Sequence, residues 1–123
     1  MALCLAGAGL SLHLSIATFT LGWTHSDERT AWEEDWRVEA DALVLLQSRI
    51  KGSGAGMEPP PDSRLIDGWF AWTPDNPRRT QIVLRRALGV GDWQFCVAAK
   101  PCRPLGEFLG DGDADPVTLT ACP

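Results

Sequence analysis

Hydrophobic and polar residues alternate with a period of two through most of this chain, and turn-forming residues break the alternation every eight to twelve positions. The pattern predicts strands near 2–6, 10–16, 18–25, 32–39, 42–51, 65–73, 81–86, 92–97 and 116–120. Leu10, Leu12, Leu14 and Ile16, separated by Ser11, His13 and Ser15, show it most plainly. Many short strands with regular turns predict an all-β fold, an antiparallel sandwich or partly open barrel of about eight or nine strands. Helix is confined to "RPLGEFLG", where Pro104 starts a turn and Leu105, Phe108 and Leu109 fall on one side, a short plug at most. Two stretches are loops, "KGSGAGMEPPPDS" at 51–63 and "TPDNPRR" at 73–79, because proline removes ladder donors and glycine admits positive φ. Neither reads as a linker and no repeat is visible. One domain over 1–123 is expected, with its core at about 3–109 and a short acidic tail at 110–123.

Most of the candidate chemistry falls in "THSDERTAWEEDW", Thr24 to Trp36. A hairpin turning through 26–31 pairs His25 with Trp32, Trp23 with Glu34, Leu21 with Trp36 and Phe19 with Val38. One face then holds Phe19, Leu21, Trp23, Trp32, Trp36 and Val38, and the other Thr18, Thr20, Thr24, Glu33, Asp35, Arg37 and Glu39. His25 and Glu34 break the division by falling on the aromatic face. A buried carboxylate there needs a partner, for which His25, Arg49 or the backbone amides of "GSGAGM" are the candidates. A structural pair that pins the hairpin and a ligand-facing acid and imidazole are the two readings of this feature.

Other motifs fall away. "GSGAGMEPPP" lacks the Lys-Ser/Thr of a phosphate loop and runs into three prolines, so it reads as a glycine corner whose amides cup an anion at most. "DGDADP" puts Pro116 where a calcium loop needs glycine, and Cys122 where it needs a bidentate Glu. His25, Ser26 and Asp27 are chain neighbours on an extended strand and cannot converge as a triad. With two histidines, His13 and His25, no multi-histidine metal cage is possible, and neither metal nor cofactor is expected.

Composition narrows the class further. A hydrophobic share of 45% with six Trp supports a packed core, and a net charge of −5 removes the phosphate attraction on which nucleic-acid binding depends. Four cysteines allow three pairings; Cys96 with Cys102 would cross-link a hairpin and Cys4 with Cys122 would tie the ends, and four reduced buried thiols are the alternative. Disulfides would require an oxidising compartment. The first 23 residues are uncharged, but no basic region precedes them and His13, Ser and Thr interrupt them. They are read as strand, not as a signal peptide or membrane span.

The run "FTLGWTHSDERTAWEEDWRV" followed by a strand and "GSGAGM" resembles a bacterial family known as domain of unknown function 1850. The matching positions are Thr24, His25, Ser26, Glu28, Arg29, Thr30, Glu33, Glu34, Gly54, Ala55, Gly56 and Met57, with Arg29 where Lys is common. The resemblance spans about Leu3 to Leu109 and includes "CRPL" at 102–105. It implies a companion of tripartite (TRAP) transporters of the TAXI type, contacting the solute receptor or permease on the periplasmic side or near the membrane. Relatives often begin with a hydrophobic anchor that this sequence does not show, which leaves a cytoplasmic location open. No catalytic residues come with the family.

Three functions follow as expectations. The first is a non-enzymatic accessory or binding module beside a TAXI-type uptake system. The second is a small-ligand or cation-binding domain built from His25, Ser26, Glu28, Thr30, Glu34, Gly54, Gly56 and Met57, and a purely structural interaction domain stands behind it. An enzyme using Glu34 or His25 ranks last, since no nucleophile, base and orienting group can be assembled.

Overall fold

A computed structural model describes residues 1–7, 9–25, 30–51, 59–85, 92–97, 100–109 and 115–123, with backbone alone for His25 and Thr30. Twelve strands and one helix occupy these residues: β1 (Ala2–Gly7), β2 (Leu10–Leu14), β3 (Thr18–His25), β4 (Thr30–Val38), β5 (Leu43–Lys51), β6 (Arg64–Ile66), β7 (Trp69–Trp72), β8 (Arg78–Arg79), β9 (Gln81–Leu84), β10 (Gln94–Val97), β11 (Arg103–Pro104), α1 (Gly106–Leu109) and β12 (Val117–Cys122). They form two antiparallel sheets, β2-β1-β12-β9 and β11-β10-β3-β4-β5-β7-β6, with β8 pairing separately on β5. The sheets do not close on each other, so the sandwich is the fold and the barrel is set aside.

The core lies between the sheets, where alternation sends every second side chain. Leu3 and Leu5 of β1 and Val117 and Leu119 of β12 are fully buried from the small sheet, and Phe19, Leu21, Trp36, Val38, Leu43, Leu45 and Phe95 meet them from the large one. Phe19 stacks on both Trp36 and Phe95, at ring centroid distances of 6.3 and 5.6 Å. The predicted plug is α1: Leu105 and Leu109 are buried and Phe108 packs edge-on against Phe95. Asp92 holds this segment down by accepting a 2.7 Å hydrogen bond from the Gly106 amide.

Three expectations are corrected. The stretch 65–73 is not one strand but the hairpin β6–β7, turning at Asp67 and Gly68 with φ of 52° and 84°. Two successive positive φ values are what a tight hairpin turn requires, and Asp-Gly supplies them at little cost. The pairing of β3 with β4 is offset by two residues, giving Phe19 opposite Trp36, Leu21 opposite Glu34, Trp23 opposite Trp32 and His25 opposite Thr30. β4 therefore starts at Thr30, two residues earlier than the polarity pattern indicates. A slip of two leaves each side chain on its face, so the aromatic side of the hairpin is the predicted one. Third, β5 carries a bulge: Asp35 pairs with Gln47 and Trp36 with Leu45, leaving Leu46 unpaired.

Candidate functional site

The bulge decides where the charges of β5 go. Leu43 and Leu45 face the core; strict alternation would send Gln47 and Arg49 there too, but the extra residue reverses the phase, and Ser48 and Ile50 are buried instead. Arg49 is thus carried to the outer face, opposite Glu33, and is not the partner of Glu34. There its guanidinium donates to Glu33 Oε1 at 2.9 Å and Asp35 Oδ2 at 2.6 Å, and Thr20 Oγ1 donates to Asp35 Oδ1 at 2.7 Å. Burial would lower the Arg49 pKa, but the bonds from Asp35 and Glu33 outweigh it and hold it above the usual value. Trp69 of β7 lies under the same guanidinium at 5.8 Å. The acids of the outer face are therefore structural, joining β3, β4 and β5 across one network.

Glu34 remains on the inner face, flanked along β4 by Trp32 and Trp36 and opposed by Leu21 and Ser48. Burial is the main influence on it and pushes its carboxyl above the ordinary 4.5. The Trp32 and Trp36 indoles and, more weakly, Arg79 pull the other way without restoring the usual value. Trp36 Nε1 is buried, yet it completes no hydrogen bond of normal geometry among the described residues. Its help to Glu34 is accordingly a polar contact outside normal hydrogen-bond geometry, since hydrogen bonding weakens steeply away from about 2.7–3.2 Å and near-linear alignment. No described cation lies within salt-bridge distance of Glu34.

The two sheets part beside this acid. A cleft of ≈ 330 Å³ opens there, lined by Glu34, Trp36 and Leu45 from the large sheet, Arg79 from β8, Gln81 to Leu84 from β9, and Trp93. Glu34 is the one carboxylate among these lining residues. A depression of ≈ 410 Å³ on the outer face, by Gln47, Asp62 and Arg64, is larger, but its two ionisable groups are exposed to water. The inter-sheet cleft joins apolar walls to a poorly solvated acid and an unsatisfied indole donor, the features expected of a small-molecule site.

Of the residues expected to form a site, the described structure places Glu34 in the cleft. The backbones of His25 and Thr30 pair at the far end of the hairpin, and His25 lies four positions along β3 from Leu21, which faces Glu34. That is about 13 Å at the rise of a strand. Ser26, Glu28, Gly54, Gly56 and Met57 lie outside the described residues. Arg79 and Trp93 were not singled out from the sequence, because what brings them to Glu34 is the packing of two sheets and not a local spacing.

Fold and cleft together define a small two-sheet β protein with a half-buried acid between its layers. The sequence profile of the family described as "Domain of unknown function (DUF1850)" matches residues 19–105, and the chain belongs to that family. Searches among curated proteins and among solved structures returned no match.

Proposed function

We propose that this protein is a non-enzymatic binding module that takes a small organic cation in the Glu34 cleft and serves as an accessory of a TAXI-type TRAP uptake system on the periplasmic side of the membrane. The observation that carries the ligand reading is Glu34 itself, a carboxylate held on the core face among tryptophans with no described counter-charge in contact. An ammonium group would satisfy the acid and gain from the rings of Trp36 and Trp93. Calcium or magnesium would not, since such ions need six or more oxygens and the cleft lining offers a single carboxylate. Arg79 at the rim adds a positive group, so ligands with an anionic end, such as amino acids, fit as well as simple amines. The family resemblance supports the transporter association. Two disulfides, Cys4–Cys122 and Cys96–Cys102, support an oxidising compartment. Among the described residues no helix is long and apolar enough to cross a membrane.

Thermal-shift screening with primary amines and amino acids tests the ligand reading. A ligand at 100 times its Kd adds about 2.7 kcal/mol to the folded state, and Glu34→Gln should abolish the shift. Equal shifts in both proteins, or none with any amine, overturn it. Affinity capture from membranes, read for solute receptor and permease, tests the association separately.

A further inference from the structure

On the outer face of the small sheet, three strands bring three metal-ligating side chains together. Cys4 of β1 lies directly opposite His13 of β2 and opposite Thr120 of β12, with Cys122 two residues further along β12. The two sulfurs and a ring nitrogen of His13 all lie within 4.8 Å of one another, the one such cluster among the described residues. We propose that Cys4, His13 and Cys122 form a binding site for a thiophilic metal ion, Zn²⁺ or Cu⁺, and that the Cys4–Cys122 disulfide is its oxidised, metal-free form.

The strand register assembles the ligands, with or without the S–S bond. β1 pairs with β2 over five positions and with β12 over five more, so both cysteines and the histidine keep their places on one face when the sulfurs part. Two thiolates and an imidazole around zinc sit about 3.5–3.8 Å apart, from bond lengths near 2.3 and 2.0 Å in a tetrahedron. The bonded sulfurs are closer than that and have to part on reduction, while all three ligand atoms already lie within 4.8 Å of one another. His13 Nε2 lies 2.9 Å from the Pro123 carbonyl. Donating a proton there leaves Nδ1 as the lone-pair nitrogen, the kind of outer bond that orients metal-bound histidines. The exclusion of multi-histidine cages does not touch this set, in which sulfur supplies two of three ligands and selects soft metals. The fourth position is open to water.

The conversion balances. A dithiol gives two electrons to the S–S bond and becomes a disulfide, its two protons pass to Cys4 and Cys122, and a divalent metal then displaces both protons into water. Cys96–Cys102 is an internal control, since no described histidine or acid joins its sulfurs in such a cluster.

The test is an anaerobic titration of the full chain with Co²⁺ and then Zn²⁺, after reduction by a water-soluble phosphine, which becomes its oxide. One equivalent of cobalt with thiolate charge-transfer bands, lost on adding zinc, is expected. The oxidised protein and Cys4→Ser/Cys122→Ser should show neither, and Cys96→Ser/Cys102→Ser should keep both. His13→Ala should weaken binding at least about tenfold and alter the visible bands. Circular dichroism follows folding throughout: a reduced chain that refolds on one equivalent of zinc supports the site. Failure to bind, failure of zinc to restore an unfolded reduced chain, or binding indifferent to His13 overturns it.

Discussion

Replacing Glu34 by Gln should stabilise the protein at neutral pH, the reverse of what loss of a buried ion pair does. Burial raises the Glu34 carboxyl above 4.5 in the folded chain, while unfolding returns it to the ordinary range. Between those two values the folded state holds more protons than the unfolded state, so stability falls as pH rises across the window. Below about pH 4 both states carry the neutral acid and the contribution is fully favourable. Above the raised value both are ionised and the cost of the buried charge is complete. A polar group buried without a normal hydrogen bond costs about 1–3 kcal/mol, and the contacts from the Trp32 and Trp36 indoles place Glu34 toward the lower end. Gln removes the charge and keeps the shape, for a gain of about 1 kcal/mol at pH 7.5. With an unfolding entropy of about 2.1 cal/mol/K per residue, that is about 4 °C in Tm for 123 residues. Urea denaturation of both proteins at pH 4, 6 and 7.5 reads the difference directly. It should shrink toward zero at pH 4. A Gln variant destabilised by about 1 kcal/mol or more at pH 7.5 would show that Glu34 sits in a stabilising ion pair, and a difference constant with pH would show that folding does not shift its ionisation; either result would sink the reasoning.

Other perturbations have their own signatures. Arg49→Ala leaves Glu33 and Asp35 side by side without their cation and should cost about 2 kcal/mol in urea unfolding, a value discounted for partial exposure; the further changes Glu33→Gln and Asp35→Asn should recover much of it. Opening Cys4–Cys122, separated by 118 residues, should cost about 3–5 kcal/mol on the chain-entropy model, against about 2 for Cys96–Cys102, separated by 6. Equal Tm losses in the two double-serine variants would refute that ordering. Gly68→Ala, at φ 84°, should lose about 1 kcal/mol through strain at the β6–β7 turn, read as a lower urea midpoint with an unchanged slope.

Why Glu34 was visible in the sequence and its surroundings were not follows from what each depends on. Side-chain direction repeats every two residues, so the faces of β3 and β4 survive an error of two in their pairing. Glu34 between Trp32 and Trp36 is a break in polarity that needs no knowledge of register. The Asp67-Gly68 turn was also present as a local signal, the strongest short hairpin dipeptide, inside a stretch read as one strand. Arg49 is the opposite case. Its face depends on the unpaired Leu46, and the hint for that bulge was only two adjacent leucines, Leu45 and Leu46, where the alternation called for one. Arg79 and Trp93 reach the cleft from strands and loops remote in sequence, and nothing in their immediate neighbours records that approach.

The bulge also ties the structural and functional faces of β4 to a single cause. Had β5 kept its phase, Arg49 would face the core beside Glu34, and Glu33 and Asp35 would stand on the outer face without a cation. The extra residue gives the outer acids their counter-charge and takes it from the inner one in the same step. Glu34 is left uncompensated because the register places Ser48 opposite it, and a serine hydroxyl cannot neutralise a carboxylate. Deleting Leu46 should therefore straighten β5 without moving Arg49, because with one residue fewer the alternation from Leu45 keeps Gln47 and Arg49 on the outer face and Ser48 opposite Glu34. It should leave the Arg49 ion pairs and the gain expected from Glu34→Gln in place, which double-variant unfolding at pH 7.5 would measure. If the Gln substitution no longer stabilises the deletion variant, the phase of β5 is not what isolates the acid.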